Sequence, residues 1–96
     1  MDDWEKQHNE LMAKYIVDLG PTLCDEYSRR DFNGRNSHSP TATELSHILG
    51  TGSWVGDVFR QSMYKARELI SNGGLNQQLK NDLEKTLTGY YAADKK

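Results

Sequence analysis

Between Ser39 and Gln61 the chain carries two helix starts and one helix stop, and few folds accommodate that punctuation. Thr41 and Glu44 form the T-x-x-E pattern of a capping box, in which side chains satisfy the free N–H groups of a first helical turn. Pro40 cannot continue a helix from upstream, so it marks the same start. Ala42, Leu45, Ile48 and Leu49 follow at helical spacing, and Gly50 stands where a left-handed residue readily ends a helix. Ser53 then reads as the N-cap of a second helix, with Asp57 in its first turn favourable to the dipole. Two helices joined by about three or four residues including glycine make a helix-turn-helix, expected over about residues 41–71.

The remaining segments read as helices too. Residues 2–19 place Trp4, Leu11, Met12, Tyr15, Ile16 and Leu19 at three- and four-residue spacings, with His8 on the same face. Gly20-Pro21 is expected to end that helix, because proline disfavours helical backbone in the residue before it. Pro21 can open another, running to about Arg30 with Leu23, Cys24 and Tyr27 on its apolar edge. Asn33-Gly34 through Ser39 is a loop, and neither flank alternates as a strand does. From Ser53 to about Ser71 the inward stripe is Val55, Val58, Phe59, Met63, Ala66, Leu69 and Ile70. Residues 75–90 give a last helix with Asn76 as a candidate N-cap and Leu75, Leu79, Leu83, Leu87 and Tyr90 in a narrow seam. That seam either closes the core or pairs with its copy in a homodimer. The expected fold is all-α, one domain over residues 1–96, with four to five short helices, no β-hairpin wing and a flexible tail over about 91–96.

Composition narrows the function. With 96 residues and 35% hydrophobic content the chain can build one modest core. No apolar run approaches a membrane span, the N-terminal residues show no signal pattern, and the lone Cys24 fits a reducing cytosol, so a cytoplasmic protein without a membrane partner is expected. Cys24 reads as a small buried residue rather than a nucleophile. The formal charge is −2, unevenly spread: residues 1–26 hold seven carboxylates against two lysines, whereas residues 27–72 hold six cations against four carboxylates. His8, His38, His47 and Cys24 lack metal-ligand spacing, Ser37-His38-Ser39 has no acid placed beside it, and Gly50-Thr51-Gly52 is not a nucleotide fingerprint. No catalytic residue, metal or cofactor is assigned, and no enzymatic activity is expected.

The outward face of the long helix presents Ser53, Asp57, Arg60, Gln61 and Tyr64, flanked by Lys65 and Arg67. Arginine and glutamine can read guanine and adenine edges, tyrosine and lysine can hold phosphates, and Arg35 in the loop could touch a DNA backbone. The same face also reads as ordinary solvated helix, and Arg29-Arg30 reads either as a phosphate contact or as a match to a helix C-terminus. Pro40-Thr41, Glu44-Leu45 and Leu49-Gly50-Thr51-Gly52-Ser53 resemble a stretch of the KfrA-type plasmid DNA-binding proteins. The resemblance implies a helix-turn-helix contacting operator-like double-stranded DNA, with Ser53 and the following helix near phosphates and bases. The expectation is therefore a phage- or plasmid-type transcriptional or replication regulator that binds double-stranded DNA through Arg35, Ser53, Asp57, Arg60, Gln61, Tyr64, Lys65 and Arg67. The rival expectation is a non-enzymatic protein-interaction module that docks on a host protein through its acidic first helix or an exposed apolar patch.

Overall fold

In a computed structural model, residues 2–29 and 37–95 are described, and they form four helices with no strand among them. The first, α1 (Asp3–Ser28), runs straight through Gly20-Pro21 instead of ending there. Proline removes one backbone donor and crowds the preceding turn. Pro21 lies on the exposed side of α1, where water can serve the carbonyl that loses its partner. Ile16 and Leu23 on either side are fully buried, and that packing holds the helix together across the proline. Asp2 caps the start, accepting from the Glu5 N–H at 2.8 Å.

The second helix, α2 (Pro40–Leu49), has its N-cap two residues before the Thr41 of the expected capping box. Ser39 is the N-cap, extended at φ −143° and ψ 159°, and its Oγ accepts from the Ala42 N–H at 3.0 Å. Pro40 thus occupies the first helical position, where its missing N–H costs nothing. Ser39 also donates to Glu26 Oε1 at 2.7 Å, fastening the start of α2 to the end of α1. Gly50 takes the left-handed conformation expected of it, at φ 69° and ψ 37°. The third helix, α3 (Val55–Asn72), starts two residues beyond Ser53, with Trp54 at the cap position and no side-chain cap bond. The fourth, α4 (Gln77–Asp94), is capped by Asn76, which accepts from the Leu79 N–H at 2.8 Å. It extends through Tyr91–Asp94, so most of the expected tail is helix; Ala93 is buried and the Tyr27 hydroxyl donates to Asp94 at 3.4 Å.

Long-range contacts fix the helix directions. The Tyr27 ring stacks on Phe59 at 3.7 Å near the end of α1, while Asn9 near its start donates to the Gly73 carbonyl at 3.3 Å. Hence α3 runs antiparallel to α1. Phe59 stacks in turn on Tyr90 at 5.0 Å, and Tyr27 reaches Asp94, so α4 runs parallel to α1. The α2 helix runs from Glu26 down towards Tyr15, in the same sense as α3. Helix α1 packs on all three others, whereas α2 and α4 do not touch. Leu75, Leu79, Leu83, Leu87 and Tyr90 are all buried within the chain's own core. Pairing them with a second copy would require opening that core, so the homodimer expected through residues 75–90 has no free seam there.

Gly20 sits where α1 crosses α4, and a Cβ there would meet Thr86 Cγ2 at 2.8 Å and the Tyr90 ring at 3.0 Å. Gly89, in the same α4, faces open space. The two glycines should respond oppositely to alanine. Gly20→Ala is expected to lower stability by about 1–3 kcal/mol through overpacking, and Gly89→Ala to raise it by about 0.5–1 kcal/mol through helix propensity. Urea unfolding followed by circular dichroism measures both.

Candidate functional site

The groove-reading residues expected on α3 are not one uniform basic face. Arg60, Gln61, Tyr64 and Arg67 are exposed and Asp57 is half-buried. Arg60 is paired to Asp57 at 2.9 Å, one turn away on the same helix. Lys65 leans on Glu68 at 3.4 Å in the same way. Exposed pairs of this kind contribute roughly 0–1 kcal/mol, but they cancel the local charge that would attract a phosphate. Arg67 is different. Its Nε donates to the Tyr91 hydroxyl at 2.7 Å, and its guanidinium lies 5.8 Å from the Tyr64 ring centre and 5.2 Å from that of Tyr91. Among the described residues no carboxylate is within ion-pair distance of Arg67. Arg35 lies outside the described residues.

Ser53 serves another purpose than a cap. Its Oγ and its backbone carbonyl lie 2.9 and 3.2 Å from His38 Nδ1, a hydrogen-bonded contact, while the His38 ring sits 4.2 Å from Trp54. The Val55 N–H donates to the Ser37 carbonyl at 2.9 Å, so a backbone oxygen from before α2 satisfies a free donor at the start of α3. These contacts put the first turns of α2 and α3 side by side. The five-residue connection Gly50–Trp54 therefore runs back along α2 instead of turning tightly at its end. A reading helix in a helix-turn-helix crosses its predecessor at about 90–120° after a tight turn. Here the two helices descend α1 in the same sense.

A second surface emerges on α1. The residues expected to form one inward stripe divide between two faces. Met12, Ile16 and the neighbouring Ala13 are buried, whereas Trp4 is 72% exposed and Leu11 43% exposed. Trp4 stacks on His8 at 5.6 Å with the planes 10° apart, and with Gln7 and Leu11 these residues line a shallow hollow. Tyr15, one further step along, lines the next hollow with Glu44, His47 and Ile48. Positions 4, 8, 11 and 15 recur at alternating four- and three-residue steps, which places them on one side of a helix. The signal was present in the sequence: too many apolar positions were crowded on α1 for a single stripe.

Cys24 is half-buried, and burial pushes its thiol up to about 11 from the ordinary 9.0. Burial likewise raises the Tyr90 phenol above its usual range, against a smaller lowering by the hydrogen bond to Ser62. Among the described residues no group of three His, Cys, Asp or Glu side chains is placed to hold a metal ion, and no helix is long and apolar enough to cross a membrane. In comparisons with protein-family models, curated proteins and solved structures, nothing matches this chain. The likeness to KfrA-type proteins rests on its quoted residues alone.

Two measurements follow from these placements. Ser39→Ala should cost about 1 kcal/mol of stability as a lost N-cap, while Ser53→Ala should stay within about 0.5 kcal/mol; paired urea curves resolve the difference. With its raised thiol, Cys24 should be alkylated by iodoacetamide about 100-fold more slowly at pH 8 than an unburied thiol of ordinary 9.0. The rate should climb as pH rises towards 11, since only the thiolate reacts.

Proposed function

We propose that this chain is a non-enzymatic protein-interaction module whose docking surface is the exposed flank of α1. The observation that carries this reading is the stripe Trp4, His8, Leu11 and Tyr15. Its largest member is 72% exposed, and from Asp2 to Tyr15 the helix that carries it holds four carboxylates against two lysines. Neither this tryptophan nor this leucine belongs to the chain's buried core. Large aromatic side chains of that kind act as anchors when a partner buries them. The surrounding carboxylates select a partner surface of opposite sign and speed its encounter.

Double-stranded DNA is the second reading. It is favoured by Arg67, held between two tyrosines beside Arg60 and Gln61 on the exposed face of α3. Against it stand the internal pairs of Arg60 and Lys65 and the acidic character of α1. A photo-crosslinking residue placed at Trp4 or Leu11, in cells that carry the protein, is expected to capture a protein partner. The same residue at Gln78, exposed on α4, should not. Equal capture at all three positions would sink the docking reading. A duplex titration separates the rival: affinity that falls steeply between about 50 and 200 mM salt and is lost in Arg60→Ala/Arg67→Ala would establish DNA binding instead.

A further inference from the structure

The lengths of the helices leave a gap in the bundle. At 1.5 Å per residue, α1 is about 39 Å long and α2 only about 15 Å. The α2 helix covers one flank of α1 from Glu26, which Ser39 contacts at 2.7 Å, to the level of Tyr15. Below that level the flank continues as Tyr15, Leu11, His8 and Trp4, and among the described residues no helix lies in line with α2. The uncovered length, from position 4 to position 15, is about 17 Å, which is three helical turns.

We infer that the partner presents a short basic amphipathic helix that lies along α1 below α2 and completes the bundle. This rests on the protein-docking reading above and specifies its occupant. Three features select that occupant. The alternating four- and three-residue steps of the stripe present the row of side chains that a neighbouring helix packs against, knobs into holes. The gap is bounded above by the C-terminal end of α2, where free carbonyls carry partial negative charge. There the Gly50 and Thr51 N–H groups both go to the Ser46 carbonyl, at 2.8 and 3.2 Å. Charge supplies the third: from Asp2 to Tyr15 the helix carries Asp2, Asp3, Glu5 and Glu10 against Lys6 and Lys14, and with Glu44 beside Tyr15 these five carboxylates outnumber the two lysines and complement lysine or arginine on the incoming helix. A second copy of α1 would instead oppose carboxylates to carboxylates, and DNA would bring phosphates to them.

The test uses the full chain and a synthetic 14-residue helical peptide of leucine and lysine, with leucine at i, i+3, i+4, i+7 and so on. The expected result is saturable binding in the micromolar range, roughly 1–100 μM, with amide chemical-shift changes concentrated between Trp4 and Tyr15 and around Ile48–Gly50. Trp4→Ala/Leu11→Ala should weaken binding at least about tenfold. Both side chains are exposed, so an unchanged circular dichroism melt verifies that the variant folds. A peptide of the same composition without helical periodicity, and one with glutamate for lysine, should bind at least about tenfold more weakly. Shifts that map elsewhere, equal binding of the scrambled peptide, or self-association of the chain through the Trp4 stripe in sedimentation would each overturn the inference. If the helical peptide fails while crosslinking at positions 4 and 11 still captures a protein, the helical occupant falls and the docking reading survives. If both fail, the docking reading falls with it.

Discussion

The stacked column of Tyr27, Phe59 and Tyr90 joins α1, α3 and α4, and the arrangement of the chain depends on it. The Tyr27 and Phe59 rings are nearly parallel, 2° apart with centres at 3.7 Å, and Tyr90 follows at 5.0 Å from Phe59. Each ring brings a large apolar area out of water. Tyr90 also brings a hydroxyl into the core, which would be costly if it were left unmet. Ser62, itself fully buried, hydrogen-bonds that hydroxyl at 2.9 Å and the Phe59 carbonyl at 3.1 Å. The column also fixes direction, because a ring near the end of α1 must meet a ring near the start of α3 and one near the end of α4.

Two further constraints follow from the column. The rings can close only if α1 and α4 approach at Gly20, where a methyl group would strike Thr86 and Tyr90. The start of α3 must stay near the end of α1, so the chain leaving α2 has to travel back before α3 begins. Gly50–Trp54 is that return path, and Ser37, His38 and Ser53 tie it down. The helix pair so legible as a motif is thereby laid out in a parallel sense along α1. Once α2 is anchored at Glu26, its ten residues run out near Tyr15, and among the described residues no other helix takes its place along the lower flank of α1.

Much of this was readable from local chemistry. Asn76 as a cap, Gly50 as a left-handed stop, and the inward stripe from Val55 to Leu69 all depend on residues within a turn or two of one another. Local rules misplaced the caps at Thr41 and Ser53. At Thr41 the competing Ser39-Pro40 pair supplies both a side-chain acceptor and a preset first helical residue. At Ser53 the competitor was His38, fifteen residues away, which no windowed reading weighs. The candidate site divided in the same way. Spacing correctly brought Asp57, Arg60, Gln61, Tyr64 and Arg67 to one exposed side of α3. Their charge balance, and the link from Arg67 to Tyr91, required knowing which side chains from α3 and α4 meet.

By itself the sequence determined that the described chain is all-α, where α1 and α4 begin and α2 and α3 end, and which residues of α3 and α4 face inward. These properties come from backbone capping, glycine and proline geometry, and apolar periodicity, all short-range. Tertiary structure decided that α1 passes through Pro21, because buried Ile16 and Leu23 outweigh one missing hydrogen bond. It decided that the leucines of α4 are consumed inside the chain. It also decided which apolar residues of α1 remain outside. Periodicity places Trp4 and Leu11 on a helix, but only the length of α2 and the direction set by the aromatic column determine whether anything of this chain reaches them.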